Sequence, residues 1–267
     1  MIVFEAFKKV NRNVKVIIYP ILYDLISLAI GISIVGFYGK DLISIRMILE
    51  MGIPSISNLS NIPLLVNDIG FLAIPVEIPP ITLVITIITI IFGAFLQGGY
   101  IGYLSSIANE ETFNFKQLVK VGMRSWIQFI ILEIILFFGK IGVTAFLAIF
   151  FGIIGVFASL VFFIALRITF IYLEFTMVVD RTGIVPAIKS SRNYLMKSLM
   201  MTFPLVIVMY IVSSLISLFL HYFWSPMVVI GLILIYAYIM TAIQLSLMMV
   251  LCKTKRGQEF TVKSFLV

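Results

Sequence analysis

The sequence predicts an all-α fold: a polytopic membrane helix bundle of six transmembrane helices, paired as three hairpins, with amphipathic helices at the cytoplasmic interface. Three observations lead there. Sixty-two percent of the 267 residues are apolar and only 12% are charged, against about 45–50% and about 25% in ordinary globular domains. A soluble chain of this length needs more polar residues to cover its surface. The apolar residues fall in long runs, and the basic residues gather between those runs.

A helix needs about 20 apolar residues to cross the hydrocarbon core. Six segments qualify, at about 16–38, 81–107, 126–148, 153–179, 199–221 and 226–251, within a single integral membrane domain over 1–267. The first follows a basic N-terminus without a small-residue cleavage site, so it reads as an uncleaved span. The third and fourth run almost unbroken from Trp126 to Val179. As one helix that is about 80 Å, too long for any bilayer, so the chain must turn back. The glycines at Gly152 and Gly155 mark the place.

Orientation follows from Lys and Arg. Fifteen lie in the N-terminal tail, the 108–125 and 180–198 loops and the C-terminal tail, against only Lys40 and Arg46 in the 39–80 loop. The positive-inside rule then puts both termini in the cytoplasm of a plasma (cell) membrane protein. The net charge of +7 fits an anionic membrane face rather than nucleic acid. Lys8, Lys9, Lys116, Lys120, Arg124, Lys189, Arg192 and Lys197 are the expected contacts with anionic inner-leaflet lipids.

A short basic amphipathic segment precedes each odd-numbered span. Phe115, Leu118, Val119, Met123 and Trp126 repeat at helical spacing, with the basic residues opposite, and Asn114 with Gln117 resembles a capping box. A comparable segment runs from Ile184 to Lys197. Both are expected to lie in the plane of the inner leaflet. The 39–80 loop holds five prolines yet stays rich in Ile, Leu and Val. It predicts a short helix over 42–51, then a cap over the outer face where a partner could bind.

The stretch Arg167–Lys197, with Arg167, Glu174, Asp180, Gly183, Ala187 and Ser190, resembles the glycerophosphodiester phosphodiesterase membrane-domain family. That family has multi-pass relatives of unassigned function in bacteria and archaea. Gln97-Gly-Gly-Tyr100, Asn109-Glu110-Glu111 and Phe115 are similar to the matching pattern of the first half, so the resemblance covers 81–251. It implies a prokaryotic membrane segment without the catalytic domain, and therefore not phosphodiester hydrolysis.

Chemistry-bearing residues are few. One cysteine and one histidine cannot build a Cys/His zinc cluster, and no cofactor is expected. His221, beside Tyr222 and Trp224, reads as an interfacial aromatic belt. Gly98 and Gly102 read as a helix-packing face; the strand that a nucleotide-binding glycine loop requires is missing. No catalytic motif appears, and nothing orients a nucleophile beside Glu133 and Glu174, so no enzymatic activity is expected. The intramembrane charges Asp24, Glu133, Lys140, Arg167 and Glu174 stand out, because each costs about 2.5–3.5 kcal/mol at a span centre. They form either a structural ion-pair network or a polar path. Two functions stay open: a non-enzymatic component that organises the membrane or assists a partner complex, or a small transporter or exporter subunit, as a homo-oligomer or bound to a partner membrane protein. Helical spacing puts Glu133 and Glu174 at one depth and Lys140 and Arg167 deeper. The expected pairs are Glu133–Arg167 and Glu174–Lys140, with Asp24 near the acids.

Overall fold

The computed structural model describes residues 2–38, 44–46, 48–67, 71 and 80–265, with side chains through 257. Among them every regular element is helical: α1 (Ile2–Arg12), α2 (Lys15–Val35), a 3₁₀ turn (Ile56–Asn58), α3 (Pro80–Asn109), α4 (Phe115–Thr169), α5 (Leu173–Val179), α6 (Ile184–Tyr222) and α7 (Pro226–Phe265). Five helices are long and apolar enough to cross a membrane, the third of them the continuous stretch Phe115–Val179.

That stretch reverses where its sequence requires. Gly152 takes φ 57° and ψ −137° inside α4, a left-handed backbone conformation that favours glycine. Past the turn the two legs of α4 run back to back. The Thr144 hydroxyl lies 3.1 Å from that of Ser159, and the Leu147 carbonyl fills the place a side chain at Gly155 would need. The returning leg breaks at 170–172 before α5, where the span predicted to run on to 179 is interrupted.

The helices pack through small residues. On α3, Gly98 faces Gly122 and Ser125 of α4, and an added Cβ at Gly99 would come within 2.7 Å of Leu118. Helices that approach this closely gain dispersion contacts that lipid cannot match. The packing role expected of Gly98 and Gly102 is therefore observed. Tyr19 of α2 meets Tyr103 of α3, and Tyr100 of α3 donates to Thr241 of α7 at 3.0 Å. Consequently α3 and α7 run parallel to each other and antiparallel to α2. The core centres on α7, where Thr241–Met248 are all buried.

The basic segments sit differently from expectation. Residues 115–124 and 184–197 are not set off from their spans; each is the first part of one continuous helix, α4 or α6. The Gln117 side chain accepts from the Asn114 N–H at 2.8 Å, as a capping box requires. Seven of the eight residues expected to contact lipid head groups are exposed. The eighth, Lys9, is not free: its ammonium lies 3.0 Å from Glu110 and 3.7 Å from Glu5.

The Lys9–Glu110 pair ties α1 to the end of α3, where Glu110 stands at φ 62°. The hydrogen bond and charge of Lys9 hold the Glu110 carboxyl below the usual carboxylate range. A lowered carboxylate contributes at neutral pH and is lost as pH falls through its folded value. A nitroxide on α1 at Phe4→Cys should therefore move more freely in Glu110→Gln at neutral pH. The parent should reach that mobility only in acid, and equal mobility of the two at neutral pH would remove Glu110 from the docking of α1.

Candidate functional site

The described part of the 39–80 loop does not lie over the bundle as the expected cap. Of the stretch expected to be helical, the described residues 44–46 and 48–51 are non-helical; the others, Leu42 among them, lie outside the described residues. Residues 48–66 enter the bundle, and Leu49, Met51, Ile56, Leu59, Leu64 and Leu65 join its core. The Glu50 carbonyl accepts from the Gln244 amide of α7 at 2.9 Å. An added Cβ at Gly52 would come within 2.6 Å of the Gln97 amide of α3. Gln244 and Gln97 lie about 27 and 26 Å along their helices from Pro226 and Pro80, at 1.5 Å per residue. The tip of the segment thus lies well inside the bundle, between the apolar stretches of α3 and α7.

A non-helical backbone so deep must find its hydrogen-bond partners within the protein, and the helices supply them. Ser217 of α6 accepts from the Arg46 N–H and donates to the Leu59 carbonyl, each at 3.0 Å. Ser213, one turn away, accepts from the Ile48 N–H at 3.2 Å. His221 belongs to the same set. Its Nε2 accepts from the Asn61 N–H at 3.0 Å, and Nδ1 lies 2.7 Å from the Ser217 carbonyl. An amide can only donate and a carbonyl only accept, which fixes the neutral tautomer with its proton on Nδ1. His221 is 1% exposed, so it is not a belt residue; Tyr222 and Trp224 stay at the periphery, exposed and half-buried.

Two buried carboxylates hold the deepest part. Glu50 accepts from the Ser55 N–H at 2.8 Å, the Asn58 amide at 2.6 Å and the Tyr236 hydroxyl at 2.5 Å. Asp24 accepts from the Ser55 hydroxyl at 2.6 Å, the Ile56 N–H at 2.7 Å and the Asn67 amide at 3.1 Å. Asp24 thereby caps the 3₁₀ turn, whose first amides have no partner within the turn. Ser55 bonds both acids, so the two carboxylates sit side by side across one residue.

Of the five charges read from the sequence, three meet this segment or its support. Asp24 does so directly. Arg167 donates from Nε to the Leu49 carbonyl at 3.1 Å and from its guanidinium to Glu174 at 2.5 Å. The pairs expected for Arg167 and Glu174 were Glu133 and Lys140; instead the two pair with each other. The break at 170–172 carries Glu174 inward, where it is buried. Glu133 lies near enough to Glu174, and Lys140 to Arg167, for their charges to interact. Glu133 and Lys140 are exposed on α4 and form no ion pair among the described residues.

Glu50 is the residue that sequence reasoning missed. One acid between two hydrophobic stretches of a proline-rich loop gave the only hint. No group of three or more His, Cys, Asp or Glu side chains suited to a metal exists among the described residues.

The fold and this site define a helical, multi-pass membrane protein whose bundle is closed by an inserted, largely non-helical segment. Compared with known protein families, curated proteins and solved structures, the chain matches none.

Proposed function

We propose that the chain is a non-enzymatic membrane component that organises the bilayer or assists a partner complex within it. The supporting observation is a contrast between two sets of charges. Inside the bundle the ionisable groups are engaged: every carboxylate oxygen of Asp24 and Glu50 accepts a hydrogen bond, and Arg167 bridges Glu174 and Leu49. Outside it, the α4 hairpin exposes apolar side chains nearly all round, from Phe137 to Phe162. It carries Glu133 and Lys140, which have no counter-ion among the described residues. A charge facing hydrocarbon is costly, and a partner helix with a base and an acid at the two depths would neutralise both.

A second copy of the chain is a poor partner for these charges. Two copies of one orientation are related by an axis along the membrane normal, which brings like residues to like depth. Glu133 would then face Glu133, about 10 Å from the level of Lys140.

In this reading both termini are cytoplasmic, the spans number six, and the exposed lysines and arginines of α1, α4 and α6 meet the inner leaflet. Charged contacts gather at that one end of the bundle: Lys9–Glu110, Lys255–Asp180 and Arg256–Asn109. The resemblance to stand-alone membrane domains over 81–251 accords with it. A transporter or exporter subunit is the second reading, favoured by the adjacent carboxylates of Asp24 and Glu50 at the bundle centre.

The test is a photo-crosslinker at Phe138 in native membranes, with and without Glu133→Gln and Lys140→Gln. A discrete protein adduct that disappears in the double variant is expected. Adducts with lipid alone, together with ion flux through the purified protein in vesicles, would favour the transporter.

A further inference from the structure

The cleft between α6 and α7 at the end of the bundle that carries Lys255 and Asp180 has no role in the closed core. It measures about 200 Å³ and is lined by Lys197, Leu199, Met200, Met201, Lys253 and Thr254, among others. No carboxylate lines it, and neither lysine joins an ion pair among the described residues. Asp180, an acid of that end, is held by Lys255 at 2.6 Å. The Thr254 hydroxyl donates to the Val250 carbonyl at 2.9 Å, so the two ammonium groups are the cleft's free donors.

The other wall is apolar. Met200 is 91% exposed, and Met201, Phe203 and Ile207 carry the apolar surface onward along α6. Met200, Phe203 and Ile207 follow helical spacing, so they form one stripe leading away from the lysines. Methionine adapts to chains of varied shape. Two cations at the head of an apolar stripe, between spanning helices, match an amphiphile with an anionic head.

We propose that this cleft binds the phosphate of an anionic phospholipid between Lys197 and Lys253, with an acyl chain along Met200, Phe203 and Ile207. The proposal rests on reading this end of the bundle as a membrane-surface end. Each ammonium would donate charge-assisted hydrogen bonds to phosphate oxygens. Specific binding here is distinct from general attraction to the many other exposed basic residues, because these two share a cleft.

The full chain, purified in detergent, is incubated with phosphatidylglycerol or phosphatidylcholine, and bound lipid is read by native mass spectrometry. The parent should retain phosphatidylglycerol preferentially. Lys197→Gln with Lys253→Gln should weaken retention about 30-fold, as two lysines each worth about 1 kcal/mol would. Lys15→Gln with Arg181→Gln removes the same charge from exposed positions outside the cleft and should change little. Equal losses in the two double variants, or equal retention of both lipids by the parent, would overturn the proposal. Displacement of the lipid by inorganic phosphate would assign the cleft to a soluble phosphate and overturn the lipid. Should the first double variant fail to fold, acetylation of the parent decides. Phosphatidylglycerol must protect Lys197 and Lys253 more than Lys189, and equal protection would sink the idea. Failure here leaves the partner adduct at α4 untouched, so the two readings fall separately.

Discussion

Glu50→Ala should release the re-entrant segment from the bundle. The substitution leaves the Ser55 N–H, the Asn58 amide and the Tyr236 hydroxyl without their acceptor. Each buried orphan costs about 1–3 kcal/mol, so the loss is a large part of the stability of a typical protein, about 5–15 kcal/mol. Glu50→Gln is the informative comparison. Its carbonyl oxygen still accepts from Ser55 and Asn58, and its amide can donate to the Tyr236 oxygen, so most of the loss should be recovered. A cysteine at Ser57, which is 6% exposed in the parent, reports the event. It should resist a membrane-impermeant maleimide in the parent and in Glu50→Gln, and react in Glu50→Ala. The only native cysteine, Cys252, is buried and gives little background. If Glu50→Gln reacts as fast as Glu50→Ala, the negative charge itself holds the segment and the hydrogen-bond account fails.

Arg167→Leu should lower the folded yield, and the second-site change that restores it identifies the true partner. Removing one member of a buried pair costs about 3–5 kcal/mol, because an uncompensated charge stays behind. Here the stranded group is Glu174, 3% exposed, one of whose carboxylate oxygens has no hydrogen-bond partner even in the parent. Adding Glu174→Leu should recover much of the yield. Adding Glu133→Leu should not, since Glu133 is exposed and makes no ion pair with Arg167. Recovery will be incomplete, because the Leu49 carbonyl still lacks its donor. Yield is measured as monodisperse protein after detergent extraction. Rescue by Glu133→Leu and not by Glu174→Leu would contradict the observed pairing.

The two variants also separate what the sequence reveals from what it hides. The reversal at Gly152 is legible because length alone forbids a straight helix there, and glycine marks the bend. The close packing of Gly98 and Gly102 on α4 is legible because small residues at helical spacing have few other uses in lipid. The burial of Asp24 and Glu174 agrees with the apolar neighbours that flank each in the sequence, but Glu133 and Lys140 have such neighbours too and are exposed. The partners of Asp24, Arg167 and Glu174 are not legible. Asp24 and Arg167 bind backbone amides and carbonyls of the 48–66 segment, and a backbone group is the same at every residue. Glu174 pairs with Arg167 only because the helix breaks at 170–172, where no proline or glycine announces it. The segment itself reads as a loop, since its alternating apolar and turn-forming residues suit a covering layer as well as an inserted one.

The partners of the re-entrant segment also set the order in which the protein can be made. Asp24 precedes the segment and is ready when it emerges. Ser213, Ser217, His221, Tyr236 and Gln244 follow it by some 160 to 190 residues. Until α6 and α7 have been synthesised and inserted, the amides of Arg46, Ile48 and Asn61 and the carbonyls of Glu50 and Leu59 lack these partners, and within the bilayer an unmatched group costs several kcal/mol. The segment must therefore wait in water while the later helices arrive. Assembly finishes near the beginning of the chain, and a ribosome stalled before α6 would leave a protein whose first helices are in place but whose centre is open.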